Sequence, residues 1–166
     1  MGGEDSWAGW IQPELVSMSA LSKLIGQNPD HFQPLGVGQR RVHGIIFDTA
    51  WCEKFFVLSA DRNISLHRPK SQDGRSLVQG VALVSVMGSV ASYAVHNSGP
   101  KDLPIRIVCP VRFDQTVFAG VELLSQSICE KHRHSRVRLT LTHAGGTTVR
   151  NVIDPVEVIL HGMVSL

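Results

Sequence analysis

From Leu77 to His96 the chain carries no Asp, Glu, Lys or Arg. The segment predicts one long helix, Leu77 to about Val95, that is apolar or small nearly all round. A helix without a polar face must be covered on most sides, so the rest of the chain has to wrap it. The length approaches that of a membrane span, but Gln79, three Ser, two Gly and a His favour a helix buried in a soluble domain.

The flanking sequence supplies the wrapping. Arg41–Phe47 (RVHGIIF) is a strand candidate. Pro104–Phe113, Val121–Lys131, Arg136–Thr142 and Thr147–Leu160 form an all-strand tail after the break at Gly99-Pro100. Arg136, Arg138, Thr140 and Thr142 alternate with Val137, Leu139 and Leu141, giving one wet and one dry face. HAGGTT is a hairpin signal, with Gly145-Gly146 supplying the positive φ of its turn. The expected architecture is α+β, an antiparallel sheet around a single helix.

At 166 residues the chain is one domain's worth. Residues 1–35 read as an N-terminal appendage with a short helix, Pro13–Ile25, opened by Pro13 and closed by Gly26; 36–166 form the main domain. Lys and Arg number 16 against 14 Asp and Glu, with no basic stripe, so nucleic acid is not an expected partner. Three cysteines without paired spacing fit free thiols in a reducing, cytoplasmic setting. The acidic start MGGEDSWAGW is no secretory signal, and no membrane association is expected.

The stretch Thr49–His67 (TAWCEKFFVLSADRNISLH) reads as a short helix, Ala50–Leu58, with Thr49 as N-cap. It runs into a turn that holds Asp61, Asn63 and His67. A carboxylate, an amide and an imidazole in seven residues can move a proton. The same turn also reads as a simple Asx-turn satisfying its own backbone, with His67 a surface loop residue.

With these parts in order, the chain resembles the hotdog fold, and within it the MaoC-like (R)-specific enoyl-thioester hydratases and dehydratases. Phe55, Leu58, Ser59, Asp61 and Asn63 match that family's T-x-x-[D/E]-V-x-x-F-x-x-L-S-G-D-x-N-P-[L/I]-H signature in register. Thr49 and His67 match in type, each one residue out of step. Gln79-Gly80 falls where the family has His-Gly, and Val111–Leu124 resembles its F-x-x-P-V-x-x-G-D-x-L strand. The resemblance covers about Gly36 to Gly162. Ala60 replaces the signature Gly, Ile64-Ser65-Leu66 adds a residue before His67, and Gly120-Val121 stands for Gly-Asp.

The resemblance implies addition or removal of water at an α,β-unsaturated thioester of coenzyme A or an acyl carrier protein, without cofactor or metal. Asp61 and His67 would hold the water and handle the proton transfers. Asn63 would brace the loop, the Gly80 amide would face the thioester oxygen, and Gln79 could add a donor. Ser85 is a further binding candidate, although a hydroxyl there can equally satisfy a helix carbonyl. A homodimer is expected by the same resemblance. Two other readings stand beside it: a repurposed hotdog enzyme acting on a larger biosynthetic substrate, and a non-catalytic protomer used for assembly.

The remaining motifs read as structural. His132-Arg133-His134 lacks a carboxylate or thiol to complete a metal site and reads as a strand-end turn. Gly36-Val37-Gly38 precedes a strand, so it is no phosphate loop. Cys52 reads as a packing thiol.

Overall fold

The computed structural model describes residues 15–18, 33–60, 67, 76–95, 97–145 and 148–164. Seven strands and two helices are found among them. β1 (Leu15–Ser17), β2 (Arg40–Ile46), α1 (Thr49–Leu58) and α2 (Gly80–Ala94) come first. β3 (Ser98–Pro100), β4 (Thr116–Cys129), β5 (His132–Gly145), β6 (Thr148–Asn151) and β7 (Val156–Met163) follow.

The strands form one sheet in the order β1-β2-β4-β5-β7-β3, with β6 also on β5. β1 runs parallel to β2, and the other pairings are antiparallel. The inner face follows the alternation expected of the tail. Val117, Ala119, Val121 and Leu123 of β4, with Val137, Leu139 and Leu141 of β5, are all essentially buried. They meet Ala82, Leu83, Val86, Met87, Val90 and Ala91 of α2 in one core. Each large apolar side chain removed from water there contributes about 1.5–3 kcal/mol. The outer face carries a charge ladder, Arg40–Glu122–Arg138–Glu157, at N–O distances of 3.0 to 3.3 Å.

α2 is less enclosed than its composition predicts. Val81, Ser85 and Ser89 form an exposed stripe at four-residue spacing. The hydroxyls of Ser85 and Ser89 donate back to the carbonyls of Val81 (2.8 Å) and Ser85 (3.2 Å), so the stripe presents little unsatisfied polarity.

Several expectations change. Leu15–Ser17, placed in a Pro13–Ile25 helix by its flanking signals, is a strand, because the free edge of β2 offers it a ladder. The rest of that expected helix, apart from Met18, lies outside the described residues. Asp48, not Thr49, is the N-cap of α1, accepting from the Trp51 amide at 3.0 Å. Pro104–Phe113 is extended but pairs only through isolated bridges, Ile107 with Ile153 and Arg112 with Leu77. Its backbone bonds go to scattered partners such as Val152 and Ser76. Gly99-Pro100 is no break but part of edge strand β3, a position that tolerates proline. Thr147–Leu160 divides into β6 and β7 around Val152–Pro155.

His132–His134 belongs to β5, and the two-residue turn is Glu130-Lys131, with Glu130 at φ +55°. The β5–β6 hairpin is present, with Gly145 paired to Thr148, and turn residues 146–147 lie outside the described set.

Candidate active site

α1 is anchored at its start and ends at the polar turn. Asp114 holds its first residue twice, accepting from the Thr49 amide at 2.9 Å and the Thr49 hydroxyl at 2.6 Å. The Asp114 amide in turn donates to the Phe47 carbonyl at 2.9 Å. At the far end Ser59 is the C-cap, and Ala60 follows at φ +50°. That left-handed conformation favours glycine, which explains why the signature Gly falls at this position.

Asp61 and Asn63 lie outside the described residues. His67 is described. Its Nδ1 lies 2.7 Å from the carbonyl oxygen of Leu77. A carbonyl only accepts, so Nδ1 carries the proton and Nε2 of the neutral ring is left as an acceptor.

His67 lines a narrow cleft of about 10 Å³, the space of a single water, with Trp51, Cys52, Phe55, Val78, Gln79, Ala82 and Phe113. Trp51 stacks on Phe55 with centroids 5.0 Å apart and meets Phe47 edge-on at 5.8 Å. The aromatic wall comes from the four-residue spacing of Trp51 and Phe55, a signal present in the sequence, where Phe55 is noted only as a match to the family signature. Cys52 is a buried thiol, as expected. Burial, with Asp48 and Asp114 adding to it, pushes its pKa up to about 12.

Gln79 is the N-cap residue of α2 yet makes no side-chain capping bond. Its amide turns to Ser59 instead, with Nε2 3.1 Å and Oε1 3.2 Å from the hydroxyl. This ties the end of α1 to the start of α2 and engages the amide that had been considered as a donor to substrate. Gly80 opens α2, whose first turn contains no acidic residue. A helix N-terminus without a side-chain cap favours negative charge. A Cβ at Gly80 would stand 3.0 Å from Ile107 Cδ1, so the extended segment closes directly over the glycine. Ser85 lies one turn further on, exposed and bonded to Val81. The structure thus brings His67, Gln79 and the aromatic wall to one cleft, with Gly80 next to Gln79 at the start of the helix. Among the described residues no group of three or more His, Cys, Asp or Glu could hold a metal ion. No helix among them is long and apolar enough to cross a membrane.

No family model and no curated protein sequence matches the chain. Solved structures do. The (R)-hydratase of A. caviae involved in PHA biosynthesis is 22% identical, with a TM-score of 0.60 over 77% of this chain and 97% of that one. The R-hydratase PhaJ1 from Pseudomonas aeruginosa is 19% identical, TM-score 0.55, over 80% and 88%. The MaoC-like dehydratase from Rhodospirillum rubrum is 12% identical, TM-score 0.53, over 80% and 96%. The fold is therefore the α+β hotdog fold, in the form shared by MaoC-like dehydratases and (R)-hydratases.

Proposed function

We propose that this protein is a MaoC-like hydratase or dehydratase, a hydro-lyase that adds water to, or removes it from, an α,β-unsaturated acyl thioester. The observation that carries this reading is the tautomer of His67. With Nδ1 committed to Leu77, Nε2 is a base in a cleft beside the start of α2. In the hydration direction Nε2 takes a proton from water, and the water oxygen bonds to Cβ. Negative charge that develops on the thioester oxygen is met by the amide of Gly80. Asp61, by resemblance, shares the water, and the proton taken up by Nε2 is returned to Cα; Asn63 braces the turn.

A positioned acid or base supplies about 10²–10⁴-fold, and one oxyanion donor about 2.7–4 kcal/mol. The substrate class, acyl-CoA or acyl-carrier-protein thioester, follows from the same resemblance, and the reading needs no cofactor. The test is to mix purified protein with crotonyl-CoA or a 3-hydroxyacyl carrier-protein thioester and follow the enoyl absorbance. Turnover that is lost in Asp61→Asn and His67→Gln supports the reading. Undiminished turnover in both variants sinks the assignment of the acid–base pair.

A homodimer belongs to this reading. The exposed stripe of α2, with its serines bonded back to the helix, is a surface that a second copy would cover at little polar cost.

A further inference from the structure

Away from the cleft, two side chains are arranged around a thiol. Cys109 Sγ lies 3.4 Å from Nε2 of His143, and His143 Nδ1 lies 3.4 Å from the amide nitrogen of Gln115. Gln115 is oriented by the Arg112 amide, which donates to its Oε1 at 3.1 Å, so its NH₂ faces the ring. An NH₂ group donates, and Nδ1 must therefore accept. The proton of the neutral ring then sits on Nε2, directed at sulfur.

His143 is buried, which holds it in place, while Cys109 is only partly so. The thiol's own hydrogen has an outlet in the carbonyl of Pro110, 3.7 Å away. A sulfur that receives an N–H bond is better able to carry negative charge, and the thiolate is the reactive form.

The geometry points to Cys109 as a modification site, a thiol activated toward small electrophiles, hydroperoxides first among them, by the N–H that His143, oriented by Gln115, directs at its sulfur. In that reaction the thiolate sulfur bonds to one peroxide oxygen and the O–O bond breaks. The departing oxygen takes up the thiol proton and leaves as water or alcohol. Sulfur is oxidised to sulfenic acid and the peroxide is reduced. The other two thiols are built-in references, since Cys52 is buried and bonded toward the Phe47 carbonyl and Cys129 is exposed at the end of β4.

The test alkylates the full chain with iodoacetamide and reads each cysteine by peptide mass. Cys109 is expected to react at least about tenfold faster than Cys129 at pH 7, and His143→Phe to remove the difference. Gln115→Glu keeps an acceptor for the Arg112 amide but replaces the NH₂ with an acceptor, which draws the ring proton to Nδ1 and leaves Nε2 to receive the thiol proton. It is expected to extend fast labelling to lower pH. Hydrogen peroxide followed by dimedone should mark Cys109 and spare Cys52. A Cys109 rate no faster than that of Cys129, an unchanged pH profile in Gln115→Glu, or no dimedone adduct at Cys109 would each overturn the proposal. The glutamate variant carries the test if His143→Phe does not fold.

Discussion

Asp114 and Thr49, far apart in sequence, are joined by two hydrogen bonds of 2.9 and 2.6 Å at the first residue of α1. The turn before β4 is thereby fixed to the helix whose aromatic side chains wall the cleft. Replacing Asp114 with Ala removes both bonds at a helix start and should cost about 1–2 kcal/mol. Asp114→Asn should cost less, because Asn tolerates the residue's φ of +60° and keeps one acceptor. Thermal melts of the two variants check the order.

Ala60 occupies a left-handed conformation that disfavours a side chain by roughly 1 kcal/mol. Ala60→Gly should raise stability by a few tenths to about 1 kcal/mol, the relief of strain being partly offset by a freer unfolded chain. A lower melting temperature would contradict this.

Gly80→Ala separates packing from chemistry. The new methyl meets only the flexible tip of Ile107 at 3.0 Å, so the fold should survive with a small loss of stability. The backbone N–H is kept, so turnover of an enoyl thioester should fall only through the methyl blocking the approach of the thioester oxygen to the helix start. Circular dichroism and the enoyl assay on the same preparation decide between the two roles.

His43 links stability to pH. Burial, with Arg41 adding repulsion, holds its pKa at about 4 instead of 6.5. The folded state thus refuses a proton that the unfolded chain accepts. Stability is unaffected above pH 6.5 and falls as pH drops from 6.5 toward 4, by at most about 3 kcal/mol from this group. Urea unfolding at pH 7 and 4.5 should show the loss, and His43→Gln should reduce it.

If a second copy covers the α2 stripe, light scattering should report a dimer at micromolar concentration. Ser85→Arg, a charge placed on that stripe, should shift the equilibrium toward monomer.

Much of the fold was legible because alternation and uniform apolarity report burial directly. Val137, Leu139 and Leu141 face the core as their spacing requires. The same logic misread Pro104–Phe113. Alternation records a wet and a dry side but not a partner, and this segment spends its backbone bonds on several loops. At Leu15–Ser17 a vacant sheet edge outweighed local helix signals, something no local pattern contains. His67 was legible as a residue type in a motif. Its tautomer was not, because that depends on Leu77, ten residues on and outside the motif. The Cys109–His143–Gln115 grouping joins β5 to the extended segment, and nothing in its spacing announces it.

Trp51, stacked on Phe55, lines the same cleft as His67. The chain therefore carries its own optical probe. Its emission should respond to whatever enters beside the imidazole. With Trp7 and Trp10 replaced by Phe, occupancy of the cleft becomes readable in real time, without a chromophoric substrate and before any turnover is detected.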